Sequence, residues 1–265
     1  MEFLKTKWGK LAYTSQGTGS EINLIFHGFG QSHEDMLPFA SIIQPNQRFI
    51  FIDMFFHGSS VWRDSDQLLS KSIWAKIVAG LMAKEEFEEF HLIGYSMGGK
   101  FALLTCELFP GLVKSLTLLA PDGIKTGLFY SLSSYPARFN PVFRNVVFTP
   151  RRFFSVIDGL QQIGLLESSL VKFVKNEMYS RSKRAQVYLT WRVLSGIDPN
   201  LRLIILEIRS RQIPVTLFLG KFDKMITEKN LSRFISKIPH IKTNIIPVGH
   251  GKLIEEAVKS ILKKR

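Results

Sequence analysis

The sequence predicts an α/β protein: a mostly parallel central sheet flanked by helices, with an α-helical cap inserted in the middle of the chain. Three observations predict it. Short, near-continuous apolar runs alternate with segments of helical spacing up to about residue 123, and again from about residue 198. Strands buried on both faces read this way, and their alternation with helices makes them parallel. Between residues 124 and 197 the alternation stops, and aromatic and basic helical segments replace it. Finally, His91 to Lys100 reads as a strand, a sharp turn and a helix, with one serine in the turn, as Gly94-x-Ser96-x-Gly98. The expected division is a core of residues 1–123 and 198–265 and a cap of residues 124–197.

Taken in order, Phe3 to Ser15 alternates loosely and suggests a two-strand hairpin. Ile22 to Phe26 is a buried strand ending in His27-Gly28-Phe29-Gly30. Ser32 is placed to cap a helix running to about Ile43, with Glu34 and Asp35 in its first turn, where the dipole favours acid. Arg48 to Asp53 is the next strand. Asp64 to about Lys84 has helical spacing through Leu68, Leu69, Ile73, Ile77 and Leu81. Phe90 to Gly94 is the strand before the serine turn, Met97 to Phe109 the helix after it, and Val113 to Ala120 another buried strand. The cap's aromatic residues are Phe129, Tyr130, Phe139, Phe143, Phe148, Phe153, Phe154, Phe173, Tyr179, Tyr188 and Trp191. The pattern resumes with a helix at Leu201 to Arg209. A strand (Val215 to Leu219), a helix (Thr227 to Lys237), a strand (Asn244 to Val248) and a last helix from Lys252 complete it.

At 265 residues and 45% hydrophobic content, the chain suits one large α/β domain or a core with an inserted subdomain. The single cysteine, Cys106, rules out an intramolecular disulfide and sits among leucines as a small buried residue. Met1 to Gly19 has no apolar secretory core. No run approaches the ~20 apolar residues of a membrane span, so a cytoplasmic protein is expected. The formal net charge is +13. Residues 124–211 hold 14 Lys and Arg against 5 Asp and Glu, which is most of that excess. Such a surface attracts anionic substrates, nucleic acid or anionic lipid. No nucleic-acid-binding motif accompanies the charge.

The serine turn carries the chemistry. A strand-to-helix turn this tight puts Ser96 on strained backbone, its hydroxyl at the C-terminal edge of the sheet. Gly94 and Gly98 are needed because a Cβ there would collide with the neighbouring strand or helix. The following helix aims its free N–H groups at the same place. One stretch thus offers a nucleophile and half of an oxyanion hole.

With that strand–turn–helix context, Ile93-Gly94-Tyr95-Ser96-Met97-Gly98-Gly99 resembles the nucleophile elbow of the α/β-hydrolase superfamily, serine branch. The resemblance implies the α/β-hydrolase fold and a chain order of serine, acid, histidine. Asp223, in Gly220-Lys221-Phe222-Asp223, looks like the family's acid. His250, in Gly249-His250-Gly251, looks like its catalytic histidine. Each follows a predicted strand, at the edge where open α/β sheets place their sites. His27-Gly28-Phe29-Gly30 resembles the family's H-G-x-x loop, making the backbone N–H groups of Phe29 and Met97 the oxyanion donors and His27 a brace. Asp53 and the following His57-Gly58-Ser59 resemble a D-x-x-G-x-G-x-S turn with Phe56 at its first glycine, a structural feature. Asp122 is the rival acid, because some relatives place theirs after the strand that follows the elbow helix.

The implied reaction is carboxylic-ester hydrolysis through an acyl-enzyme, with no metal or organic cofactor. The expected partner is a small-molecule substrate, lipophilic or anionic, with peripheral contact to an anionic membrane left open by the charge. The alternatives are a C–C bond hydrolase or lyase on an acidic metabolite, similar to the menaquinone-pathway lyase of the superfamily, and a ligand-binding non-enzyme. The substrate itself is not encoded in any motif of the cap.

Overall fold

In a computed structural model, residues 1–124, 146–147, 149–166 and 168–264 are described. Nine strands form one sheet among them: β1 (Glu2–Thr6), β2 (Gly9–Gln16), β3 (Glu21–Phe26), β4 (Gln47–Ile52), β5 (Val61–Trp62), β6 (Phe90–Tyr95), β7 (Val113–Leu119), β8 (Val215–Gly220) and β9 (Lys242–Ile246). The order is β1-β2-β4-β3-β6-β7-β8-β9, with β5 paired to β2. β2 pairs antiparallel with β1, β4 and β5; every other pairing is parallel. Parallel strands buried on both faces cannot alternate polar and apolar residues, and Leu24, Ile25 and Phe26 of β3 are all at most 1% exposed.

Helices among the described residues include α1 (Lys71–Glu85), α2 (Met97–Leu108), α3 (Pro150–Gln162), α4 (Ser168–Met178), α5 (Arg181–Leu194), α6 (Leu201–Ser210), α7 (Glu228–Ile235) and α8 (Leu253–Leu262). α2 packs against α1 and α6 and covers β3, β6 and β7. Trp74 of α1 locks that packing: its indole N–H donates to Thr105 Oγ1 at 2.9 Å, and its ring meets Phe101 edge-on at 4.9 Å. The segment His33–Ile42 packs against α8.

Several local expectations change. His33–Ile42 is a run of 3₁₀ turns, not an α-helix. Pro38 lies inside it and has no N–H to give to an α-helical ladder. Ser32 does cap it: its hydroxyl accepts from Glu34 N–H, and Asp35 reaches back to Ser32 N–H at 2.9 Å, a capping box. α1 starts at Lys71, not at Asp64. Asp64 accepts from Asp66 N–H in a local turn, and Ser70 caps the helix by accepting from Ile73 N–H. The short strand β5, just ahead of Asp64, is a further element that the spacing does not announce. β9 begins at Lys242 rather than Asn244, and a 3₁₀ turn, His250–Lys252, precedes α8.

Between β7 and α6, the described residues form α3, α4 and α5. Phe129, Tyr130, Phe139, Phe143 and Phe148 of the expected cap, with Lys125, Arg138 and Arg144, lie outside the described residues. Phe153 and Phe154 pack against a small cluster of Val146, Met178 and Val187. The buried Arg184 ties this group together by donating to the carbonyls of Val147 and Met178, both at 3.0 Å. α5 joins the group to the core: Leu69 N–H donates to Val193 O at 2.9 Å and Gln186 Nε2 to Phe56 O at 2.8 Å.

Candidate active site

Ser96 sits between β6 and α2 with φ 48° and ψ −118°. An L-residue rarely adopts this backbone, and the surroundings hold it there. Ser96 N–H donates to Leu119 O, and Ser96 O accepts from both Gly99 and Asp122 N–H at 2.8 Å. The flanking glycines are steric necessities. A Cβ on Gly94 would stand 2.5 Å from Gly98 O; one on Gly98 would stand 2.1 Å from Phe26 O and 2.7 Å from His27 O. The start of α2 therefore lies directly against the end of β3.

His250 opens the 3₁₀ turn beyond β9, and Asp223 lies in the turn beyond β8. His250 Nε2 is 3.1 Å from Ser96 Oγ, and His250 Nδ1 is 2.6 Å from Asp223 Oδ2. Asp223 is 5% exposed. Its other oxygen accepts from the N–H groups of Met225 and Ile226 at 2.8 and 3.0 Å, fixing the carboxylate plane. With Nδ1–H donating to Asp223, the lone pair of Nε2 faces the Ser96 hydroxyl, the tautomer that proton abstraction needs.

The register Phe26↔Gly94 pairs β3 with β6. Phe29 and Met97 are each three residues past that pair, at the same edge. Among the described residues neither backbone N–H has a hydrogen-bond acceptor in the protein. His27 braces this loop. Met54 N–H donates to its Nε2 at 2.9 Å, so Nδ1 carries the proton and donates to Gly28 O at 2.7 Å. Burial pushes its pKa down to about 4, which keeps the ring neutral.

Asp122 and Asp53 have other partners, and the thiol is buried in the core. Asp122 accepts from its neighbour Gly123 N–H, and His250 Nδ1–H donates to Asp223 instead. Burial raises the Asp122 carboxyl to about 6. Asp53 is buried and accepts from His33 Nδ1, His33 N–H and Ser59 N–H, binding the turn after β4. Phe56, standing where the resembling pattern has glycine, takes φ 68°. Burial pushes the Cys106 thiol up to about 12. Among the described residues no group of His, Cys, Asp or Glu is placed to hold a metal ion.

Two residues near the site escaped the sequence reading. The Tyr95 hydroxyl donates to His250 O at 3.0 Å and holds the histidine turn to the elbow; burial raises its pKa, so it remains a donor. Nothing marks that role in the sequence, though Tyr95 adjoins the serine. Glu177 of α4 lays its carboxylate over Gly30, where a Cβ would meet Oε2 at 2.4 Å. Burial raises that carboxyl and the Lys183 ammonium, 3.9 Å away, opposes the rise. Only the fold brings residues 30 and 177 together.

The sequence profile of the alpha/beta hydrolase fold family matches residues 24–257, which is most of the chain and includes every residue of this site. The chain belongs to the α/β-hydrolase fold family. Its hydrolase relatives are distant. A probable lysophospholipase of Arabidopsis thaliana, BODYGUARD 2, is 24% identical over 253 residues, covering 85% of this chain and 53% of the plant protein. The chain thus spans about half the length of that relative. Lipase 1 of Psychrobacter immobilis is 22% identical over 249 residues, covering 93% of this chain and 76% of the lipase. Among solved structures, a thermophilic esterase from Thermogutta terrifontis superposes with a TM-score of 0.71 at 16% identity, covering 100% of this chain and 98% of the esterase. At that identity the hydrolase fold is what is shared.

Proposed function

We propose that this α/β-hydrolase is a serine hydrolase of carboxylic esters that works through an acyl-enzyme. The observation that carries the reading is the continuous relay from Ser96 Oγ through His250 to Asp223, at 3.1 and 2.6 Å. Ser96 attacks the ester carbonyl carbon while its proton passes to His250 Nε2. Asp223 holds the imidazole in the reactive tautomer and stabilises the imidazolium that forms. The carbonyl oxygen becomes an oxyanion held by the N–H groups of Phe29 and Met97; one such donor is worth about 3–4 kcal/mol in the transition state. His250 then returns the proton to the leaving alkoxide, which departs as the alcohol. A water, deprotonated by the same histidine, attacks the acyl carbon and frees the acid and Ser96. Every bond broken or made is supplied by ester, water and these side chains, so the proposed reaction calls for no metal or organic cofactor.

The helices α3 to α5 act as the cap in this reading, and the substrate is a small lipophilic or anionic ester. The lysophospholipase and lipase relatives favour an acyl ester. A second reading, a hydrolase of an acidic metabolite, is favoured by the basic residues of 124–211. A relative from Pseudomonas putida, named as a hydrolase of an oxononadienedioate, is 30% identical over 113 residues, 40% of this chain.

The test is stoichiometric labelling with a fluorophosphonate, read by intact mass, followed by turnover of p-nitrophenyl esters of increasing chain length. One adduct on the native protein, absent in Ser96→Ala and slowed by at least ~1,000-fold in Asp223→Asn, is the expected result. A folded protein that takes no label removes Ser96 as an activated nucleophile. Labelling without ester turnover moves the assignment to the dicarboxylate reading.

A further inference from the structure

We propose that the outward face of α3, with the turn that follows it, is a docking surface for an anionic lipid bilayer. Arg152, Val156, Gly159 and Ile163 recur at four-, three- and four-residue steps, so they form one stripe along the helix. That stripe faces away from the protein. The inward side carries Phe153 and Phe154, which pack within the α3–α5 group, and the buried Ile157. Val156 is 60% exposed, Ile163 69% and Leu165 62%. A Cβ on Gly159 or Gly164 would meet nothing within 4 Å among the described residues. Branched aliphatic residues on the solvent side of a helix whose inner side is already apolar are what a water-facing helix avoids.

Charge decides the occupant. Arg151 and Arg152 are exposed in the first turn of α3, which has no acidic residue. The helix dipole already makes that end positive, so two arginines there work against the helix and suit a negatively charged surface. Across residues 150–176 the sequence has Arg151, Arg152, Lys172 and Lys175 against Asp158 and Glu167. Lys175 pairs with Asp158 at 2.6 Å. Among the described residues Arg151, Arg152 and Lys172 have no acidic partner. Aliphatic side chains flanked by cations match a bilayer interface, with acyl chains below and anionic headgroups around. No helix among the described residues is long and apolar enough to cross a membrane, so the contact is peripheral. A lipophilic ester partitions into the same interface, and the α3–α5 group would rest on it.

The inference concerns binding and stands apart from the esterase reading. The test therefore uses full-length Ser96→Ala protein, which binds without turnover. It is co-sedimented with vesicles of phosphatidylcholine, with and without about a third phosphatidylserine. The expected result is sedimentation with the anionic vesicles at low salt, weakened by high salt, and little with phosphatidylcholine alone. Val156→Asp/Ile163→Asp should lower the vesicle affinity at least ~10-fold. Arg151→Gln/Arg152→Gln should lower it by about fivefold per charge and flatten the salt dependence. Both pairs should keep the far-UV circular dichroism and the cooperative melting of the parent protein, which shows that they fold. Protein left in the supernatant with anionic vesicles overturns the proposal. So does sedimentation that the two aspartates leave unchanged, since the general positive charge would then be responsible. A dimer in sedimentation velocity that Val156→Asp/Ile163→Asp dissolves, with no vesicle binding, also overturns it and assigns the face to a second copy of the chain.

Discussion

Replacing Ser96 with glycine and with alanine should have unequal effects on stability, although both remove the hydroxyl. Each variant loses the Ser96 hydroxyl's bond to His250 Nε2, so that loss cancels between them. Each keeps the backbone bonds of residue 96 to Leu119, Gly99 and Asp122. What differs is the Cβ at φ 48° and ψ −118°. Alanine retains it and the strain, of order 1–3 kcal/mol for a sparsely populated backbone region. Glycine removes the strain and adds an unfolded-state entropy cost of about 0.4–1 kcal/mol. The difference leaves Ser96→Gly more stable than Ser96→Ala by about 1–2 kcal/mol, or roughly 2–8 °C in melting temperature for a chain of this length. Urea unfolding gives the free energies, and equal m-values would show that both variants unfold the same surface. A Ser96→Gly melting point at or below that of Ser96→Ala refutes the reasoning: the elbow would then hold its serine at no cost to the fold.

Tyr95→Phe removes one hydrogen bond of 3.0 Å to the carbonyl of His250 and leaves the ring in place. The loss of about 1 kcal/mol of positioning should lower kcat roughly fivefold with KM unchanged; an equal rise in KM would assign Tyr95 to substrate contact instead. Stability should also fall in mild acid. Burial, with the charge of His27 added at His57, holds the two histidines at about 4 and about 3 in the fold. The unfolded chain takes up their protons below about pH 6.5, where the folded chain still refuses them. Their stabilising effect is thus complete above that pH and is lost as pH falls toward 4, at about 1.4 kcal/mol per pH unit for each histidine. Calorimetric melting at pH 7 and pH 5 checks this, and a melting temperature unchanged between them contradicts it.

The strands were readable because parallel strands buried on both faces need continuous apolar runs, as in Leu24-Ile25-Phe26 and Leu217-Phe218-Leu219. Helix starts were harder. Leu68 and Leu69 fit helical spacing, yet Leu68 is 42% exposed and Leu69 is buried ahead of the cap at Ser70. The local turn chemistry of Asp64 and Asp66 overrode the period. Pro38 was visible and turned an expected α-helix into 3₁₀ turns through its missing N–H.

By itself the sequence determined the fold class, the sheet edge where Ser96, Asp223 and His250 end up, and the glycines without which that turn cannot close. These are local properties: a strand's apolar run, a helix start, a turn with no room for a Cβ. Only the tertiary structure decided which groups meet there. Asp223 rather than Asp122 faces His250; Tyr95 holds the carbonyl of residue 250; Glu177 covers Gly30; and α3 turns Val156 and Ile163 outward. Each is a contact, or an absence of contact, between segments far apart in the chain. Such pairings are set by how helices settle on a finished sheet, which local spacing does not encode.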